Sequence, residues 1–210
     1  MDNLSFSTFD EILSSGRKYN IIGSDPPWTY EDTGGKKSAR GMAKSFYDTM
    51  SIEEIKSLPV NEIADDNCFL FMWATEPLLQ EGLDVVKSWG FDYKNFAFTW
   101  IKKTSEGRDF VGMGHYTRAN PEYCILGVKG KVEVKSHAIR KLVYSKVREH
   151  SRKPDIIRDK IVQLCGDLPR IELFPRTKIY GWDVFGNDEK LNSKPLEFFM
   201  RGNYVPGLRI

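Results

Sequence analysis

Four consecutive residues, Asp25-Pro26-Pro27-Trp28, could do the most chemistry for their length. Two prolines fix φ on successive residues and leave the carbonyls between them outside any helix or ladder. The segment reads as a stiff arm that presents one carboxylate, carbonyl oxygens and an indole in fixed geometry. A planar amine needs that kind of partner: two acceptors for its N–H groups and an aromatic face for its ring. The plainer reading is a strand-ending turn with Trp28 packed in the core. Other chemistries have less support. Cys68, Cys124 and Cys165 are widely spaced with no CxxC pair, which excludes a disulfide framework and a cysteine zinc site. Three scattered histidines do not make a zinc cluster, so no metal is expected. There is no GxGxxG, so a nicotinamide cofactor has no support.

The arm must be held by something, and the apolar patterning says what. Tyr19 to Ser24 reads as a buried strand that stops at the prolines. Cys68 to Trp73, Phe96 to Ile101, Tyr123 to Val128 and Arg170 to Phe174 are further strands, with one more over Tyr180 to Val184. Ser51 to Leu58 opens with the capping-box spacing of Ser51 and Glu54. Apolar residues keep one helical face from Glu76 to Trp89, and Ile156, Ile157, Ile161 and Leu164 do so after Pro154. Strands alternating with helices, the strands continuously apolar, predict an α/β fold with a mostly parallel sheet covered on both faces. In such sheets ligands bind outside the carboxyl ends of the strands, where Asp25 falls. Segments 29–44, 103–120 and 132–152 lack clear periodicity and are expected to be functional loops.

Composition bounds the rest. The chain has 210 residues, with 31 Lys+Arg against 29 Asp+Glu for a formal charge of +2, a length that suits one domain over 1–210. The longest strongly apolar run, Cys68 to Ala74, is far shorter than the roughly 20 residues of a spanning helix, so no membrane association is expected. The amino terminus carries acids where a signal peptide would carry bases, and cysteine usage suits a reducing interior. A cytoplasmic protein of a bacterium or a phage-infected cell is expected.

Several segments together are distinctive. They are IIGSDPPW (21–28), SFYDTMSIEEI (45–55), FLFMWAT (69–75), GHYTRANPEYCILGVKG (114–130), SRKPD (151–155) and RIELFPR…GWDVFGND (170–188). In these segments and their order the chain resembles the MT-A70 adenine N6-methyltransferases, over nearly its whole length. The resemblance implies a Rossmann-like fold with permuted motif order, the catalytic arm preceding the cofactor segments. It also implies S-adenosylmethionine as methyl donor and adenine N6 as acceptor. Asp25 and the Pro26 carbonyl would take the amine's two N–H groups and aim its lone pair at the sulfonium methyl, with Pro27 stiffening the arm. Trp28 and Tyr47 would stack on the base, at about 1–3 kcal/mol per base. Positioning and electrostatics would supply most of the acceleration, without a covalent nucleophile. A duplex substrate would require flipping of the base.

The same resemblance places Lys153 against the donor's carboxylate, where a helix start adds favourable partial charge. Arg176 and Asn187 match positions that contact the donor's ribose and its neighbours, and Glu172, Leu173 and Phe174 would end a strand beneath the donor. Asp188 stands where relatives often carry an amide, and 177–179 are Thr-Lys-Ile where some carry His-Asn, which changes the hydrogen bonds expected there. Asp25 also borders this pocket. Two basic segments flank the mouth: Lys36, Lys37, Arg40 and Lys44, then Arg140, Lys141, Lys146, Arg148 and Arg152. Charge runs are usually solvated faces, but two beside one mouth are better explained as phosphate contacts. Arg108, His115, Tyr116 and Arg118 suit base edges or a partner subunit, although His115 fits a core hydrogen bond equally well. The expected partner is a polynucleotide, DNA before RNA, with a homodimer or a heterodimer with a related subunit as candidate assemblies. The alternatives are an RNA methyltransferase and a non-catalytic nucleic-acid-binding subunit. Degenerate members of the second kind lose the Asp or the Trp, and here both stand. A small-molecule methyltransferase would lack the paired basic segments.

Overall fold

The structure, a computed structural model, describes residues 3–29, 49–114, 116–148, 152–175 and 179–186. In chain order the first half holds β1 (Ser5–Phe6), α1 (Phe9–Ser14), β2 (Tyr19–Ser24), α2 (Ile52–Ser57), α3 (Val60–Ile63), β3 (Ala64–Ala74) and α4 (Leu79–Ser88). Then come β4 (Asp92–Lys103), β5 (Glu122–Lys129), β6 (Leu142–Lys146), α5 (Ile156–Cys165), β7 (Arg170–Leu173) and β8 (Asp183–Phe185). The strands form one sheet in the order β1-β8-β7-β2-β3-β5-β4-β6, and among them only β5 runs against the common direction. This is a Rossmann-like α/β sheet, mostly parallel, with helices on both faces.

Strand alternation sorts the core into two layers. Ile22, Leu70, Met72 and Ile125 face α1 to α4 and meet Ile12, Ile55, Val85, Val86 and Trp89. Their strand neighbours Ile21, Phe69, Phe71, Trp73 and Cys124 point the other way and meet Ile157, Ile161 and Cys165 of α5. Successive strand residues face opposite sides, so a strand buried on both faces must be apolar throughout, as β2 and the second half of β3 are.

β2 is the first long strand. The chain builds β3, β5, β4 and β6 on one side of it, then returns to lay β7 and β8 on the other. The order reverses beside β2, and open α/β sheets place their ligand crevice at that reversal.

The elements differ from the sequence expectation at their ends. The capping box is present: the Glu54 amide donates to Ser51 Oγ at 3.2 Å, and its carboxylate accepts from the Ser51 amide at 2.7 Å. The helix expected from Glu76 begins as a 3-10 turn over Glu76–Leu78, and α4 proper starts at Leu79. The last strand lies at Asp183–Phe185 rather than 180–184, because Gly181 turns the chain at φ +78°. Segment 132–152 is not wholly irregular. It contains β6, whose short length and alternating exposure give a weak pattern.

Candidate active site

β2 ends at Ser24, and the next residue hands the chain across the order reversal: the Asp25 amide donates to Leu173 O of β7 at 3.3 Å. The arm that follows is held by more than its prolines. Trp28 N–H donates to Pro26 O (2.8 Å), Met50 N–H to Pro27 O (2.9 Å) and Thr29 N–H to Met50 O (3.1 Å). The indole Nε1 donates to Trp73 O at 3.3 Å, and Trp28 is 7% exposed within the core. Trp28 is therefore packed rather than presented. The ring face expected to stack on a base is covered here, because the indole serves as the arm's anchor. The Pro26 carbonyl already accepts one hydrogen bond, which leaves it one lone pair for an amine.

The Asp25 side chain faces Lys153, whose Nζ lies 2.9 Å from Oδ1 and 2.8 Å from Oδ2. The same ammonium is 3.3 Å from Glu122 Oε2 and 5.5 Å from the centre of the Trp73 ring, and Lys102 Nζ is 2.6 Å from Glu122 Oε1. The result is a chain of alternating charge, Lys102–Glu122–Lys153–Asp25, with 10% to 19% of each side chain exposed. Burial alone would lower the Lys153 pKa, but the carboxylates of Asp25 and Glu122 outweigh it and hold the ammonium above its usual value. Burial likewise pushes the Glu122 carboxyl up, and the ammonium groups of Lys153 and Lys102 more than reverse this, holding it below the usual range. Lys153 and Glu122 therefore both stay ionised at neutral pH.

Beside this chain lies a cleft lined by Asp25, Arg152, Lys153, Arg158, Glu172, Phe174 and Pro175, with another between Ser24, Trp73 and α5. Glu172 is 6% exposed, and its carboxylate takes two bonds from Arg158, Nε to Oε2 and Nη2 to Oε1, both 3.0 Å. Glu172 lines both clefts, with its carboxylate already engaged by Arg158. A Cβ on Gly23 would stand 3.0 Å from Glu172 Oε2, so the β2 backbone comes close to this pair only because residue 23 is glycine. Leu173 is fully buried. Phe174, expected to continue the strand, leaves it at φ +62°, alone in the left-handed region among the described non-glycine residues. Its amide donates to Phe185 O at 2.6 Å and its ring packs on Phe185 at 5.5 Å. Such backbone costs roughly 1–3 kcal/mol and collects at functional sites.

Other expected residues are placed elsewhere. Arg140 and Lys141 are exposed at the amino end of β6, about 16 Å of strand back from the sheet's carboxyl edge. The expectation that they line the mouth is corrected: the parallel register of β4 and β6 carries Lys146 and Arg148 toward that edge instead. Arg148 and Arg152 both pair with Asp155, at 2.6 and 3.2 Å. Arg118 is exposed in the β4–β5 connection. Tyr47, Lys36, Lys37, Arg40, Lys44, His115, Arg176, Asn187 and Asp188 lie outside the described residues. Sequence reasoning missed Glu122, Lys102 and Arg158. Glu122 could have been flagged as a carboxylate at the start of a strand inside one of the distinctive segments. Among the described residues no three His, Cys, Asp or Glu form a metal-binding group, and no helix is long and apolar enough to cross a membrane.

The site is thus a Pro-Pro arm at the order reversal of a Rossmann-like sheet, with a cation fixed over the arm's carboxylate. Residues 19–188 match the family model for MT-A70. The chain is 33% identical over 202 residues to the type II methyltransferase M.MunI of Mycoplasma sp., covering 88% of this chain and 84% of that protein. It is 27% identical over 176 residues to the N(6)-adenosine-methyltransferase catalytic subunit METTL3 of Homo sapiens, covering 81% of this chain and 28% of that protein. A putative N(6)-adenosine-methyltransferase of Medicago truncatula matches at 27% over 175 residues, covering 81% of this chain and 26% of that protein. The chain belongs to the MT-A70 family.

Proposed function

We propose that this chain transfers a methyl group from S-adenosylmethionine to the N6 amine of adenine in a polynucleotide, with DNA the favoured acceptor. Family membership makes it an adenine N6-methyltransferase. The donor's identity, the choice of DNA and the roles of individual residues are our reading. The observation that carries it is the position of Asp25, a carboxylate on a pinned arm at the sheet's order reversal with Lys153 bonded to both oxygens. DNA is favoured over RNA by the likeness to a bacterial type II methyltransferase across most of both chains.

The residues present fit such a donor. Lys153 offers a cation for its carboxylate, and the adjoining cleft offers the Phe174 ring and the Arg158–Glu172 pair. When bound, the donor supplies a methyl group on a good leaving group, so the protein's task is placement. Asp25 and the second lone pair of Pro26 O accept the amine's N–H groups and turn its lone pair toward the methyl carbon. The arm cannot relax away from this geometry, because Trp73 O, Met50 and Leu173 hold it at three points. No cysteine serves as nucleophile. Cys68, Cys124 and Cys165 are buried, and burial pushes their thiols up, that of Cys165 to about 12. Recognition of the polynucleotide is assigned to segments 29–44 and 103–120, with a partner subunit as the other candidate occupant of the latter.

The test is incubation with methyl-labelled donor and unmethylated DNA or RNA, followed by nucleoside analysis. Label should appear as N6-methyladenine, in DNA rather than RNA. Label in RNA alone would reverse the acceptor. Donor binding without transfer to either, in the presence of candidate partner subunits, would sink the reading.

A further inference from the structure

The Lys153 ammonium has three N–H donors, and three carboxylate oxygens of the described residues lie within 3.3 Å of it. Two belong to Asp25, the carboxylate the reaction needs, and one to Glu122. Lys153 is also the cation that the proposed function assigns to the donor's carboxylate. One ammonium therefore has two employments, and they compete. The four-residue chain sums to zero charge, so a carboxylate brought to Lys153 competes with Asp25 and Glu122 for its N–H groups.

We propose that Lys153 is a latch on Asp25 that the donor's carboxylate opens, so that the adenine amine is accepted only after the donor has bound. This rests on the function proposed above and adds an order of binding to it. Without donor, Lys153 holds both Asp25 oxygens. A neutral N–H is a weaker partner for a carboxylate than an ammonium, so the amine does not displace it. With donor, Lys153 turns two of its N–H groups to the new carboxylate, and Asp25 recovers its hydrogen bonds from the amine. Glu122 is the positioning residue of this exchange. Lys102, 2.6 Å from Oε1, fixes Glu122 at the mouth, and Oε2 keeps one N–H of Lys153 as a pivot. The sheet builds this pivot: β5 runs against its neighbours, so its first residue, Glu122, lies at the carboxyl edge, where β4 brings Lys102 alongside.

Linkage makes the latch measurable, because a donor that releases Asp25 tightens amine binding, and the amine tightens donor binding by the same factor. The probe is S-adenosylhomocysteine, which keeps the carboxylate and lacks the transferable methyl. Fluorescence anisotropy would follow an oligonucleotide carrying the site methylated in the transfer assay. A second oligonucleotide would carry purine without the 6-amino group at that position. Saturating S-adenosylhomocysteine should tighten the adenine oligonucleotide about fivefold or more, within the usual range of such couplings, and the other less than twofold. Equal tightening of both, or of neither, would overturn the latch. Lys153→Met should abolish the difference and prefer adenine without any donor analogue. If that variant fails to fold, the wild-type comparison of the two oligonucleotides still decides. Transfer without amine-dependent coupling removes the latch alone, whereas absence of transfer removes the function and the latch together.

Discussion

Replacement of Asp25 by alanine separates what this residue does for the reaction from what it does for the fold. The ion pair with Lys153 is mostly buried, with 16% and 10% of the two side chains exposed. Breaking a fully buried pair by removing one partner costs about 3–5 kcal/mol, because the survivor is left uncompensated. Lys153 is not left so, since Glu122 remains at 3.3 Å, and the expected cost falls to about 1–2 kcal/mol. For a chain of this size that is a fall in Tm of roughly 2–8 °C. Lys153 stays beside Glu122 and loses its competitor for the donor's carboxylate, so donor affinity should hold or rise by no more than a few-fold. Turnover should fall by at least about 10²–10³, the loss seen when a preorganised group facing the reacting centre is deleted. Thermal unfolding, calorimetric titration with S-adenosylhomocysteine and single-turnover transfer measure the three quantities on one preparation. Equal losses of donor affinity and turnover would refute the assignment and make Asp25 a donor ligand.

Two further outcomes are expected. Replacing Lys36, Lys37 and Arg40 together by alanine should weaken polynucleotide binding and reduce the slope of log K against log salt by about 2–3, near 0.7–0.9 for each phosphate no longer neutralised; an unchanged slope would return these residues to a solvated face. The depressed pKa of Glu122 contributes stability that is present above the unfolded carboxyl's value, about 4.3, and is lost as pH falls through the folded value. Urea unfolding at a series of pH values should therefore show Glu122→Gln destabilised relative to wild type at neutral pH, with the two curves converging in acid.

The central strands were legible because a strand buried on both faces has no choice of composition. Ile21-Ile22 and Phe69 to Trp73 announce β2 and β3 whatever surrounds them. Their flanks were less so. β6 and β1 are short edge strands whose pairing is decided by register with β4 and β8, not by their own pattern. The Pro-Pro arm was legible as rigid, but whether Trp28 presents its ring or buries it depends on the Trp73 carbonyl 45 residues away. Glu122 and Lys102 lie 20 positions apart and meet only because β4 and β5 pair with Trp100 opposite Glu122. Arg140 and Lys141 show the converse. Near Lys153 in sequence, they are carried away from it by the length of β6.

The bridge between Trp28 and Met50 joins the described residues on either side of 30–48, three positions along the chain from Asp25. A segment closed at its root in this way can change inside without moving what it is rooted in. Doubling its length costs only about 0.6 kcal/mol of closure entropy. Grafting the matching stretch of a relative between Thr29 and Thr49, with Tyr47 retained, should therefore change sequence preference while the arm and its lysine stay as they are, measured as the methylation pattern on a mixed DNA substrate.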